Sequence, residues 1–408
     1  MEKRLQIHWW DGSLVGHLVH RGTIYFVYDE TWIKRGHNLS PLSLPFTAIA
    51  FNGSKGIDGL PGLIADCLPD SWGRKVARKE FAKNKWGEPS TMSLLAWRGT
   101  RGLGALRFLP PLDGQEDRPN ALQVIGAAAL ARGASEIERG EPTEVLSQLA
   151  QGGTAGGAFP KAMVLAYADG TLRVGQPDGT GQPSLLKLDL SALGDNAPCE
   201  HAYALMAHAA GIRAVETRLI DEGPAANRRH LLVKRFDLPD PERPERRLHF
   251  HSASGLLHKG AGDLDYRDLF RTAIRLGLPP EELRELARRM VFNVLAANHD
   301  DHGKNHAFLY DETTRTWSLT PAYDLTFTMG GLERGVLVSG EVWPSRATMQ
   351  ALCIDAGVSK GDFETLFEEV GATVSRWPDF AAQAEVPKAK TQEVHERLRH
   401  IRPRVDGH

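Results

Sequence analysis

The hydrophobic period of the chain changes once, and that change constrains the fold more than any other feature. Up to a proline-rich stretch at residues 238–244, apolar residues come in short runs bounded by turn formers: 14–17, 23–28, 162–167, 184–190, 214–220 and 230–236. A turn at Ala168-Asp169-Gly170 folds one run back onto residues 171–174 as a hairpin. Beyond the stretch the period is helical. Residues 266–276 and 280–297 read as helices, the second with Leu283, Leu286, Ala287, Met290, Val291, Val294 and Leu295 on one stripe. Helices are also expected at 346–356, 361–369 and 392–399. A second joint rich in proline and charge, residues 110–119, cuts the β-rich part in two. The expectation is an α+β protein with a β-rich subdomain at 1–110, a second β-rich lobe at 111–245 and a mostly helical lobe at 246–408. In the first, a helix is expected at 71–82, capped by Asp70 or Ser71, and a strand at 103–108. The second adds a helix before Gln151 and one near 200–210, stopped by Gly211. A β lobe followed by an α lobe commonly binds its ligand in the crevice between them.

Composition narrows the function classes. With 49 Lys+Arg against 51 Asp+Glu the formal charge is −2, so a broad basic surface for nucleic acid is not expected. The three cysteines, Cys67, Cys199 and Cys353, lie far apart with no CxxC, which excludes a disulfide framework or a zinc ribbon and suits a reducing compartment. No apolar run long enough for a signal peptide follows the basic N-terminal residues, and no window is long and apolar enough to span a membrane. A cytoplasmic protein without membrane contact is the expectation.

The segment richest in chemistry is Asn298-His299-Asp300-Asp301-His302-Gly303-Lys304-Asn305, directly after the amphipathic helix. An apolar run (306–310), a polar turn and a strand (316–320) then lead to Pro321-Ala322-Tyr323-Asp324. If this hairpin closes on itself, Asp324 returns to the neighbourhood of Asp300. Phosphoryl transfer needs one carboxylate for the attacking hydroxyl, with an amide oxygen and a second carboxylate for Mg²⁺. Asp300 and Asn305 have the Asp-x-x-x-x-Asn spacing of a protein-kinase catalytic loop, and Asp324 stands where the later metal-binding Asp would, although no Phe-Gly follows it. A solvated turn is the ordinary reading of such a loop. A second alternative is a metal-dependent hydrolase using His299, Asp300 and His302, with His306 as a further ligand.

Three other segments fit the same chemistry. Gly152–Lys161, which includes Thr154, Gly156 and Gly157, is a glycine-rich turn before a strand, and its backbone N–H groups can face an anion; it is neither a Walker A loop nor Gly-x-Gly-x-x-Gly. A flexible turn is its plain alternative. Lys187, among leucines on a strand, can aim its ammonium into a cleft, with Glu200 on the next helix as its partner. Lys234 and Phe236 lie on the strand that runs into the proline-rich stretch at 238–244, where an aromatic can pack on a purine or simply join the core.

Together these segments resemble the HipA family of toxin kinases from bacterial type II toxin–antitoxin systems. The matching pieces, in family order over nearly the whole chain, begin with Leu68-Pro69-Asp70-Ser71-Trp72-Gly73 and Gly104-Ala105-Leu106-Arg107-Phe108. The glycine loop ending Pro160-Lys161-Ala162, the Lys187 strand, the Glu200 helix, Val233–Asp237, Asp300–Asn305 and Pro321–Asp324 follow. The resemblance implies a serine/threonine protein kinase with a two-lobed, phosphoinositide-kinase-like fold and an extra β-rich N-terminal subdomain. It implies ATP and Mg²⁺ as cofactors, Asp300 as catalytic base and Asn305 and Asp324 as metal ligands. It gives Lys187 to the phosphates and residues 234–236 to adenine, with Gly156, Gly157 and Lys161 in the glycine loop. Thr154 falls where members of the family phosphorylate themselves. The implied partners are a small helix-turn-helix antitoxin, through which operator DNA is bound, and a protein substrate, typically an aminoacyl-tRNA synthetase. A kinase-like fold acting only as a corepressor is the remaining alternative. Two departures stand out: Lys234 occupies a position where some members have Glu, and His249-Phe250-His251-Ser252 replaces a His-Gln-Glu-Asp-type stretch of one branch.

Overall fold

The computed structural model describes residues 3–53, 57, 59–112, 122–151, 159–223, 228–328 and 335–407. Three layers of structure meet around one cleft. The N-terminal region forms a five-stranded antiparallel sheet from β1 (Lys3–His8), β2 (Leu14–Arg21), β3 (Thr23–Tyr28), β4 (Phe51–Asn52) and β5 (Arg107–Leu109), in the order β4-β3-β2-β1-β5. Alternation puts Leu5, Ile7, Leu18 and Phe26 on its inner face, where Trp9, Val15 and Trp32 complete the core.

The second sheet is built from β6 (Gln123–Val124), β7 (Lys161–Ala166), β8 (Leu172–Val174), β9 (Gln182–Lys187), β10 (Thr217–Asp221) and β11 (Arg229–Lys234). Its order is β10-β11-β9-β7-β8-β6. One face, carrying Ala162, Val164, Leu186 and Leu232, packs on Trp72, Val76 and Phe81 of the Ser71–Asn84 helix and on the Ala127–Glu138 helix. The Ser71–Asn84 helix thus belongs by packing to the second sheet, although it lies in the N-terminal stretch of the sequence. The Thr91–Arg98 helix serves both layers: Leu94 and Trp97 face the second core, Met92 and Leu95 the first. The other face of the sheet carries Lys161 opposite Lys187, Met163 opposite Leu185, and Leu231 opposite Lys187.

The third layer is helical. The Pro280–Leu295 helix, whose interior buries the stripe read in the sequence, packs against Lys360–Val374 and Tyr266–Arg275. A small sheet, β12 (His249–Ser252), β14 (Ala307–Asp311) and β15 (Thr316–Leu319), supports it, with the short pair β13 (Leu264–Asp265) and β16 (Val336–Leu337) beside it. This α+β arrangement of two lobes behind a β-rich subdomain is the fold class expected.

Several boundaries differ from the sequence reading. The expected strand at 103–108 is a turn with Gly102 and Gly104 at positive φ, and only Arg107–Leu109 pairs. Asp237 accepts the Gly104 N–H at 2.7 Å, holding that turn in place of a ladder. The strand expected to start at 214 starts at Thr217, because Ala214 bridges Ala322 instead. Strand 184–190 ends at Lys187, after which Asp189 turns the chain by accepting from Ser191 and Ala197. The last helix runs to Asp406, well past 399. Among the described residues no helix is long and apolar enough to cross a membrane.

Candidate active site

The cleft, about 530 Å³, is lined by residues from all three layers. From the second sheet come Met163, Leu185, Lys187, Val233, Lys234, Arg235 and Phe236; from the helical lobe come His302, Lys304, Asn305, Tyr323 and Asp324. Asp66, Leu68, Asp70, Ser71, Arg74 and Arg98 come from the N-terminal region.

Lys187 is at its centre. The pleat puts it on the cleft face, and its ammonium donates to both Glu200 and Asp324. Glu200 sits in the first turns of the Asn196–Ala209 helix, which packs on β11 and β10. Burial opposes the Lys187 charge, but the two carboxylates outweigh it and raise its pKa. Burial also works against Asp324, yet the neighbouring Lys187, then Lys161 and His302, hold its carboxyl below the usual range. For Glu200 the burial wins and its pKa is raised. Asp324 itself adopts φ +55, a left-handed conformation that Asp tolerates better than most residues.

The loop after the Pro280–Leu295 helix is held from several sides. Asn298 Nδ2 donates to Asn293 at 3.1 Å. Asp301, buried, accepts from the Tyr266 hydroxyl at 2.8 Å and from Asn293 at 3.3 Å. The Asp300 N–H donates to the Thr328 hydroxyl at 3.0 Å, and Thr328 bridges Asn298, so the segment after Asp324 does run back alongside the loop. The Asp300 side chain is exposed at the cleft's edge rather than among its lining residues. Asn305 Nδ2 donates to the Asp300 carbonyl at 2.8 Å, which leaves its amide oxygen for another partner. The Tyr323 hydroxyl donates to the Lys304 carbonyl at 2.5 Å, and its ring stacks on Phe236 with centroids 5.7 Å apart. Phe236 is thereby half-buried between Tyr323 and Phe250 while still lining the cleft. Lys234 lines the rim, and its ammonium pairs with Glu216 at 2.8 Å.

Lys161 is not a lining residue. Its ammonium is buried and pairs with Asp70 at 2.7 Å. Thr154, Gly156 and Gly157 lie outside the described residues. Of the histidines behind the hydrolase alternative, His299 is buried edge-on against Trp343, with centroids 4.5 Å apart, whereas His302 lines the cleft. Among the described residues no group of three or more His, Cys, Asp or Glu side chains is placed to hold a metal ion.

Sequence reasoning missed the contribution of the N-terminal region. Leu68–Gly73 was recognisable as a segment, but nothing in its composition said that Asp70 would reach the second sheet. Asp66 is a further case: half-buried at the cleft, it accepts from His251 Nδ1 at 2.7 Å and from the Ser252 hydroxyl at 2.7 Å, tying the N-terminal region to β12.

A cleft between a β lobe and an α lobe, with a lysine bridging two carboxylates on its floor, is the arrangement of a kinase-like protein. The chain belongs to the HipA family: the HipA N-terminal domain matches residues 5–109 and the HipA-like C-terminal domain residues 153–401. Two Sinorhizobium fredii relatives are similar to it. The protein named "Putative kinase Y4mE" is 27% identical over 344 residues, covering 79% of this chain and 76% of the relative. "Putative kinase Y4dM" is 25% identical, covering 76% and 74%. The HipA chain of the Shewanella oneidensis toxin–antitoxin complex of HipA, HipB and operator DNA has the same fold, at TM-score 0.71 and 18% identity, covering 98% of this chain and 96% of that one.

Proposed function

We propose that this protein is an ATP-dependent serine/threonine protein kinase and the toxin of a toxin–antitoxin pair. The observation that carries the reading is the convergence at one cleft of two distant stretches of sequence, one supplying Lys187 and Glu200 and the other Asn305 and Asp324. The site fits its cofactors. A carboxylate and an amide oxygen are the hard donors Mg²⁺ takes, and the cleft volume lies in the range of small-ligand sites. Asp324 and Asn305 would hold the metal, which supplies charge neutralisation at the phosphates. Lys187 would bind phosphate oxygens in place of one of its carboxylates. Phe236 and the 234–236 backbone would border the adenine, with the Lys234 side chain directed to Glu216 instead. Asp300, exposed at the edge, is where an acceptor hydroxyl can approach from solvent, and its carboxylate would orient that hydroxyl and accept its proton.

The glycine loop, with Gly156 and Gly157, would cover the phosphates, and Thr154 would be a site of self-phosphorylation that silences the enzyme by adding charge to that loop. A HipB-like DNA-binding antitoxin is the partner that the family and the Shewanella assembly support, with operator DNA bound through it. The substrate class that the family resemblance supports is an aminoacyl-tRNA synthetase, and the working compartment is the cytoplasm. The units of the reading are residues 1–110, 111–245 and 246–408.

Phosphoproteomics after induction of the wild type and of Asp300→Asn tests this. The expected result is phosphate on protein serines or threonines, and on Thr154, only with the wild type. Equal phosphorylation by both would remove Asp300 from its role, and none by either would remove the kinase reading.

A further inference from the structure

Lys161 and Lys187 stand directly opposite each other on β7 and β9 and on the same face of the sheet. Two ammonium groups so placed repel, and burial makes each more costly. The structure relieves this from outside the lobe. Asp70, from the N-terminal region, accepts the Gly73 N–H at 2.6 Å through Oδ1, capping the Ser71–Asn84 helix, and the Lys161 ammonium at 2.7 Å through Oδ2. Both side chains are nearly sealed, with 3% and 9% of their surface exposed. Two residues on, the Trp72 indole donates to the Lys161 carbonyl at 2.9 Å, and the neighbouring Pro160 carbonyl accepts from Leu188. The residue at the exit of the glycine-rich segment is therefore held by backbone and by side chain, both from the same helix start. Asp70, Ser71 and Arg74 of that start line the cleft together with Lys187 and Asp324.

We infer that Asp70 is a positioning residue for the nucleotide site, holding the Lys161 ammonium behind the cleft floor next to Lys187, so that the N-terminal region completes that site. This rests on the reading of the cleft as an ATP site. Without the Asp70 carboxylate, a buried Lys161 has two outcomes. It loses its proton, or its ammonium turns to the nearest remaining carboxylates, Glu200 and Asp324, in competition with Lys187 and the metal. The first outcome removes a positive charge from behind Lys187, and the second occupies the carboxylates that Lys187 and the metal use, so Mg·ATP binding weakens in both.

Asp70→Asn separates this role from helix capping, because Asn caps a helix as well as Asp does. Lys161→Met and the double variant Asp70→Asn/Lys161→Met complete a cycle. Dissociation constants for Mg·ATP are measured by calorimetry on the full chain, at a temperature where each variant is folded, with melting temperatures recorded alongside. The expected result is affinity weaker by about tenfold or more in Asp70→Asn, and a double variant no weaker than the worse single. A lower melting temperature with unchanged affinity would make the pair purely structural and overturn the inference while leaving the kinase reading intact. Strictly additive losses would also overturn it. If the wild type binds no Mg·ATP, the kinase reading itself fails.

Discussion

Two lysines face each other across adjacent strands and are held in opposite ways. Lys161 is sealed and pairs with a carboxylate fixed by a helix cap, and burial pulls its pKa down. Lys187 is more open, shares two carboxylates, and these push its pKa up despite burial. Asp70, anchored by its cap, cannot swing to another partner without giving that cap up. A lysine between two partly exposed carboxylates can trade one of them for a phosphate at small net cost, since charge balance is kept. In the kinase reading proposed above, the fixed pair would belong to the scaffold of the site and the exchangeable one to its chemistry.

The most severe way to break the exchangeable side is Asp324→Ala, which removes a partner of Lys187 and the carboxylate proposed for the metal. Turnover should fall by roughly 10³-fold or more, a loss of the size seen when a main electrostatic contact of a reaction is removed. Kinase assays at saturating ATP would show this, and retention of more than a tenth of the activity would contradict it. Lys187→Met comes next: Mg·ATP affinity should drop by about 10- to 100-fold, read by calorimetry. Unchanged affinity would mean that Lys187 serves only to hold Glu200 and Asp324.

The fixed side can be probed through the seam that docks the N-terminal region. A Cβ on Gly255 would lie 2.3 Å from Asp66 Oδ2 and 2.6 Å from the His251 ring, and one on Gly62 would lie 1.9 Å from the Gly255 carbonyl. Gly255→Ala should therefore cost up to about 3 kcal/mol of stability, as overpacking of a tight contact does. Urea unfolding would measure it, and a neutral effect would show that the two regions are not held in this register.

The smallest effect concerns pH. His249, buried beneath the N-terminal region and bonded to the Leu39 carbonyl at 2.9 Å, has its pKa pushed down to about 3, by burial first and by His251 second. Because the folded value lies below the unfolded one, its contribution is complete above about pH 6.5 and is lost as pH falls toward about 3. Between pH 7.5 and pH 5 the wild type should lose about 2 kcal/mol more than His249→Gln does. Parallel pH dependence of the two would show that His249 is readily protonated in the fold.

Most of the exchangeable side was legible in the sequence. Strand alternation put Lys187 out of one sheet face, where it could enter a cleft, the Glu200 helix followed at short range, and the Asp300-to-Asn305 spacing with a hairpin to Asp324 could be read directly. The fixed side was not. The Asp70–Lys161 contact joins residues far apart in the chain through a helix packed on a sheet of another region, and no periodicity encodes that docking. The turn at residues 103–106 was missed for a related reason: Gly102 and Gly104 adopt positive φ there, and Asp237, a distant carboxylate, holds it.

The most direct test of the account is a crystal structure with Mg²⁺ and a non-hydrolysable ATP analogue. The account predicts that the Lys187 ammonium moves from Asp324 to a phosphate oxygen, that Asp324 and Asn305 oxygens hold the metal, and that Lys161 stays on Asp70. An undisturbed Lys187–Asp324 pair, with the analogue bound elsewhere, would contradict it.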